Sequence, residues 1–194
     1  MADKLLMLGD SQFSKECFSQ ATELFADEFS AVNIAIGGTT SAWWRDMLDE
    51  LTLGEPKYIL VHVGGNDIRT GTPLATAVQD TKNLIDELKV KYPRAEIFYV
   101  SGIVGAFDYE QDFDEKLISL NDQVERYAEG SGNFEYIDVF SVLYSAENKS
   151  NIYDERFDYL QENLFIDRLH LTKDAYDLWG NAIKQALLQF IRGK

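Results

Sequence analysis

Apolar residues are concentrated in five short runs bounded by turn residues, Lys4–Leu8, Ala31–Ile36, Lys57–Val63, Glu96–Val100 and Phe134–Phe140. Their β-branched and aromatic content suits strands, and the third is apolar enough from Tyr58 to Val63 to lie in the middle of a sheet covered on both faces. The segments between them carry helical spacing. Thr72-Pro73 marks an N-cap and first turn, Leu74, Ala77, Val78, Thr81, Leu84, Ile85 and Leu88 form one stripe behind it, and Pro93 stops it. From Thr172 onward, Ala175, Leu178, Trp179, Ile183, Leu187 and Ile191 repeat at threes and fours, which predicts a long amphipathic final helix. Strand alternating with helix predicts a parallel sheet with right-handed crossovers and helices on both faces. No repeat, linker or low-complexity tract interrupts the pattern, so residues 1–194 read as one domain. The least regular stretch, Gly102 to Asp114, reads as either a flap or a solvated loop.

Composition narrows what such a fold can do. With 45% hydrophobic and 13% aromatic residues among 194, the chain can bury a sizeable core and is not a disordered acidic tract. The 18 basic against 33 acidic residues give a net charge of −15, a field that repels phosphate backbones and anionic membrane surfaces. Nucleic acid is therefore not an expected partner. One cysteine, Cys17, and two histidines are too few for an internal disulfide or a structural zinc site. The apolar stretch from Leu5 to Leu8 is too short for a signal h-region, and nothing approaches the ~20 apolar residues of a membrane span. These features predict a soluble, cytoplasmic protein.

In a doubly wound sheet, ligands bind outside the carboxyl ends of the strands where strand order reverses. The first strand runs into Gly9-Asp10-Ser11, the second into Gly37-Gly38-Thr39-Thr40 and the third into Gly64-Gly65-Asn66-Asp67. In the common order 2-1-3-4-5 these three loops are neighbours, and a hydroxyl, a glycine N–H and an amide converge. Each loop alone has a plainer reading: Ser11 as a helix N-cap, Gly37-Gly38 as a tight turn, Asn66-Asp67 as a turn and cap pair.

A serine hydroxyl needs a base, usually a histidine held by a carboxylate. His62 falls inside the third strand and reads as a packed core residue. His170 lies in Asp167-Arg168-Leu169-His170, just before the final helix, where side chains reach the open rim. A spacing of three puts Asp167 and His170 on one side of a single helical turn, leaving the second imidazole nitrogen to face Ser11. A solvated turn is the plain alternative. A metal held by Asp167 and His170 would need a third ligand such as Asp10 or Asp67.

Four blocks then resemble one family, the SGNH hydrolases or GDSL-type esterases and lipases, in order and over nearly the whole chain. Met7-Leu8-Gly9-Asp10-Ser11 resembles the first block, Asn33 to Thr40 the second, Val63-Gly64-Gly65-Asn66-Asp67 the third, and Leu164 to Thr172 the last. The resemblance implies a flavodoxin-like three-layer α/β/α sandwich with a five-stranded parallel sheet. It implies Ser11 as nucleophile, His170 and Asp167 as the rest of a triad, and Ser11, Gly38 and Asn66 as oxyanion-hole donors, with no cofactor and no metal. Gln12-Phe13 stand where the family often has Leu and a small hydroxyl residue, and Ala35 stands where glycine is common. Both departures bear on substrate preference. No Gly-x-Ser-x-Gly elbow is present.

The function implied is cleavage of small soluble carboxylic esters through an acyl-enzyme. A carbohydrate O-deacetylase or a lysophospholipase would use the same triad, and a non-catalytic ligand-binding domain would keep the fold without turnover. Gln12, Phe13, Trp43 and Trp44 are candidate substrate-pocket residues, although the tryptophans read equally as core packing for the following helix. Acyl-chain length and oligomeric state are not legible in the sequence.

Overall fold

A computed structural model of the chain describes residues 2–103, 111–140, 164–167 and 169–194. Five parallel strands form one sheet in the order β2-β1-β3-β4-β5, the arrangement the alternation of strand and helix predicts. They are β1 (Asp3–Gly9), β2 (Phe29–Asn33), β3 (Tyr58–His62), β4 (Glu96–Val100) and β5 (Glu135–Ile137). Every residue of the central β3 is buried, as an interior strand sandwiched between helix layers requires.

β2 and β5 end well before their apolar runs do, and in each case a side chain takes over the backbone. The Asn33 amide donates to Phe13 O at 2.7 Å and its oxygen accepts from Ala35 N at 3.0 Å, turning the chain out of β2. After β5, Asp138 Oδ1 accepts from Phe140 N at 3.0 Å, and Ser101 Oγ accepts from Val139 N at 3.0 Å and Phe140 N at 3.2 Å. These polar side chains offer local partners that compete with the ladder.

The helices that cover the sheet are α1 (Ala21–Phe25), α2 (Ser41–Met47), α3 (Gly65–Arg69), α4 (Leu74–Lys91), α5 (Gln111–Ser131) and α6 (Lys173–Gly193). α2, α4 and α5 pack side by side on one face, and α1 meets α6 on the other. In the α4 stripe Ala77, Val78, Thr81, Leu84, Ile85 and Leu88 are buried as expected, and Leu74 in the first turn is half-buried. Its start differs: Pro73 occupies the N-cap position with extended backbone and no side chain caps the helix, so Thr72 does not cap it. In α6, Thr172 Oγ1 does cap by accepting from Ala175 N. Leu178, assigned to the buried stripe from its spacing, is 57% exposed, and Tyr176 and Gly180 complete the buried face. Trp179 fills the centre of that face against Phe13, Phe18 and His62.

Of the stretch 102–114 expected to form a flap or loop, residues 104–110 lie outside the described residues. Gly102 and Ile103 follow β4, and α5 begins at Gln111. Among the described residues, no helix is long and apolar enough to cross a membrane.

The contact that fixes the site is between β1 and β3. Gly9 pairs with His62, and a Cβ at Gly9 would lie 2.4 Å from the His62 carbonyl oxygen, backbone against backbone. Gly9→Ala is expected to lower the unfolding free energy by about 1–3 kcal/mol, the range for overpacking a close-packed interior. Urea denaturation of the two proteins measures it.

Candidate active site

Immediately after Gly9, Asp10 N donates to His62 O at 3.1 Å and the chain folds into a tight turn. Asp10 caps that turn, its Oδ1 accepting from Gln12 N at 3.0 Å and its carbonyl from Ser14 N at 3.1 Å. The capping role that Ser11 alone suggested therefore falls to Asp10, and the Ser11 hydroxyl is left to meet His170 Nε2 at 3.0 Å.

The glycine loop after β2 passes beside this turn, since a Cβ at Gly37 would lie 3.7 Å from Ser11 Cβ. Gly38 has φ +80, a backbone state that L side chains rarely adopt. The loop is held from behind. Trp44 Nε1 lies 2.9 Å from Thr39 Oγ1 and 3.2 Å from Gly9 O, and Thr39 Oγ1 donates to Ile36 O at 2.8 Å. From the third loop, Asn66 Nδ2 donates to Thr39 O at 3.0 Å. An amide has two N–H donors, so one is committed to holding the loops together, and among the described residues no partner takes the other.

Asp67 ties the same two loops from below. Its carboxyl accepts from Ser41 N at 3.0 and 3.1 Å and from Ser41 Oγ at 3.3 Å, and Ser41 Oγ meets Thr81 Oγ1 at 2.9 Å. Burial is the largest influence on this carboxyl and pushes its pKa up to about 6, against the hydrogen bonds from Ser41.

Asp167 and His170 sit in a small hairpin, with Phe165 bridged to Leu171, Ile166 N donating to His170 O at 2.9 Å and Thr172 N to Leu164 O at 2.6 Å. The spacing of three suggested a helical turn. Instead Asp167 Oδ1 accepts from Leu169 N at 3.0 Å and His170 N at 2.6 Å, folding the chain around the carboxylate. Its other oxygen lies 2.6 Å from His170 Nδ1. A carboxylate at that distance assigns the proton to Nδ1 and leaves Nε2 as the acceptor facing Ser11. Partial burial pushes the Asp167 carboxyl up, but the bonds from His170 and Leu169 outweigh it and hold it below its ordinary value. It stays ionised beside the imidazole.

His62 is 3% exposed and packed against Phe13 and Trp179. Its Nδ1 meets Val100 O at 3.2 Å, its Nε2 lies 3.9 Å from Asp10 Oδ1, and burial pushes its pKa down. It is a core residue, as its strand position implies. Among the described residues, no group of three His, Cys, Asp or Glu side chains is placed to hold a metal. Asp67 faces Ser41 and so does not join Asp167 and His170.

Ser11 and Asn66 open onto one small cavity, whose floor includes Asp10, His62 and Gly65. Of the four residues expected to line a substrate pocket, Phe13, Trp43 and Trp44 do not border this cavity. Phe13 is wholly buried under His62 and Trp179, and Trp44 is 1% exposed with its indole N–H turned to the glycine loop. Trp43, at 37% exposed, stands edge-on to Trp44 at the surface. Gln12 does border the cavity, with its amide already engaged. Arg69, Ile103, Phe113 and Leu117 add to the wall, with Gly102 and Leu169, and are not among the residues expected there. The first four belong to no motif, although Ile103 follows the end of β4, where the switch-point rule directs attention.

The GDSL-like lipase/acylhydrolase family profile matches residues 7–178. Solved structures share the fold. A protein of Streptococcus pneumonia provisionally named a platelet activating factor superposes with a TM-score of 0.77 at 25% identity, covering 96% of this chain and 85% of its own. A GDSL-like lipase of Bacteroides thetaiotaomicron gives 0.73 at 20% identity, covering 96% and 88%. An acetylxylan esterase of Geobacillus stearothermophilus gives 0.71 at 16% identity, covering 95% and 94%. No curated protein matches the chain significantly.

The raised Asp67 pKa has a definite sign for stability. In the folded protein Asp67 holds its proton up to about pH 6, whereas the unfolded chain releases it near the ordinary value of about 4. Its contribution is therefore full below pH 4 and is lost as pH rises through 6. Relative to Asp67→Asn, wild type is expected to lose about 1–3 kcal/mol of unfolding free energy between pH 4 and 7.5. Denaturant unfolding of both proteins across that range measures it, and parallel curves would contradict it.

Proposed function

The chain belongs to the GDSL-like lipase/acylhydrolase family, a family of hydrolases, and from that premise we propose that it cleaves carboxylic esters through Ser11, His170 and Asp167. The observation that carries this reading is the continuous hydrogen-bonded line from Asp167 Oδ2 to His170 Nδ1 at 2.6 Å and from His170 Nε2 to Ser11 Oγ at 3.0 Å. Both spacings fall within the reach a nucleophile and its base require.

Ser11 Oγ attacks the ester carbonyl while His170 Nε2 takes its proton. Asp167 keeps the imidazole in the right tautomer and stabilises the imidazolium that forms. The oxygen that gains negative charge is met by the N–H groups of Ser11 and Gly38 and by the second N–H of Asn66. His170 passes its proton to the departing alcohol, leaving an acyl group on Ser11. Water then enters, gives its proton to His170 and attacks the acyl carbon. The serine regains its proton as the acid leaves. This chemistry draws on no cofactor.

The charge of −15 favours small, soluble esters that are neutral or cationic over work at anionic lipid surfaces. A second reading, deacetylation of carbohydrate, is favoured by Trp43, an indole exposed in the first turn after the glycine loop where a sugar ring could stack. The acetylxylan esterase with the same fold is compatible with it. Rates over acyl chains of increasing length, measured beside acetylated sugars, separate the two.

A serine-reactive phosphonate is expected to add once to wild type and not to Ser11→Ala, as read by intact-protein mass. Equal labelling of both would remove Ser11 from the mechanism, and absence of turnover on every ester would favour a binding domain. Asn66→Ala is expected to lower kcat by about 10²–10³-fold, the usual loss of one oxyanion donor.

A further inference from the structure

We propose that Gln12 is a positioning residue, its side-chain amide docking the His170 hairpin onto the Ser11 turn. This rests on the role given above to Ser11 and His170. Gln12 is 5% exposed. Its Nε2 donates to Leu169 O at 2.8 Å, one residue before His170, and its Oε1 accepts from Tyr176 OH at 2.8 Å. Its own backbone N–H is held by Asp10 Oδ1 at 3.0 Å, in the turn that presents Ser11. One side chain thus joins the Ser11 turn, the His170 hairpin and α6.

The need for such a link follows from how the hairpin is built. Its backbone pairs and the Asp167 carboxylate fix Asp167 relative to His170, but all those bonds lie within residues 164–172. They set the shape of the hairpin and not its distance from Ser11. The hairpin is also exposed: Ile166 is 70% accessible and the Asp167 side chain 51%. Phe165 and Leu171 are buried and anchor its base. Apolar contact is non-directional, however, and tolerates shifts that a hydrogen bond does not.

The orientation of the amide is determined by its partners. Leu169 O can only accept, so it selects Nε2, and Oε1 is left for Tyr176. Tyr176 is 1% exposed and stacked on Phe18 at 5.1 Å, so its hydroxyl is a fixed donor. A leucine at position 12 would fill the space and bond neither partner. The polar residue therefore adds direction where the neighbouring wall supplies only packing.

The test uses Gln12→Met, which keeps length and volume and removes both bonds, together with Tyr176→Phe, which removes the hydroxyl that Oε1 accepts from while leaving the Leu169 bond in place. For Gln12→Met, kcat on an activated short-chain ester is expected to fall about 10- to 100-fold, since a small misplacement of a base can lose 10²-fold. KM should move less than about threefold, and the rate of phosphonate labelling of Ser11 should fall in parallel while still reaching one adduct per chain. Tyr176→Phe should show the same pattern at roughly 3- to 10-fold, and it carries the test alone if Gln12→Met does not fold.

Wild-type kcat and labelling rate in both variants, with only a lowered unfolding midpoint, would make Gln12 a packing residue and overturn the inference. A raised KM with unchanged kcat would make it a substrate contact and overturn it equally. Turnover undiminished in Ser11→Ala would instead overturn the assignment of Ser11 and His170 on which the inference rests.

Discussion

At Gly9 the backbones of β1 and β3 approach so closely that no side chain fits between them, the absent Cβ falling 2.4 Å from the His62 carbonyl. Asp10 N continues the contact by donating to that same carbonyl. The position of the Ser11 turn is thereby set by the sheet itself, against the wholly buried β3. The loops from β2 and β3 flank β1 because of strand order, so their glycine and asparagine arrive beside the serine without any long-range search. This is the physical content of a topological switch point: neighbouring strand ends place chemistry from distant sequence within a few ångströms.

What the sheet leaves undetermined, buried polar side chains settle. The glycine loop has no regular secondary structure to hold it, and Gly38 adopts a left-handed conformation. Thr39, Trp44 and Asn66 supply hydrogen bonds where a ladder would otherwise supply them. Asp67 adds three more contacts through Ser41 at the expense of burying a carboxyl, and the rise in its pKa records that expense. The same trade appears at Asp10, which burial also pushes up while it holds the turn of Ser11. Carboxylates that seemed available for metal binding are thus used as scaffolding.

The fourth loop is different in kind. The hairpin of Asp167 and His170 comes from the far end of the chain, follows no sheet strand among the described residues and is half open to solvent. Its internal bonds make it a rigid unit, and its docking depends on Phe165, Leu171 and the Gln12 amide. In an acyl-transfer reading this division is useful. The nucleophile and its oxyanion donors belong to the sheet, and the base and its carboxylate move, if at all, as one body.

The sequence by itself determined a covered parallel sheet, because the run of apolar residues in β3 and the strand-to-helix alternation allow few other packings, while the order 2-1-3-4-5 entered only as the common one for such sheets. Elimination singled out His170 as the available base, since only two histidines exist and one is inside a strand, and the resemblance of four sequence blocks to one family pointed to Ser11, Asp167, Gly38 and Asn66. Local periodicity was less informative at boundaries, where Asn33 and Asp138 turn the chain by bonds no apolar pattern reveals. Only the tertiary structure decided which aromatic residues face the cavity. Phe13 and Trp44 lie next to site residues in sequence yet point into the core, because a turn and a helix aim successive side chains in different directions. The role of Gln12 was likewise invisible. Its partners, Leu169 and Tyr176, are more than 150 residues away, and a hydrogen bond between such positions exists only once the chain has folded.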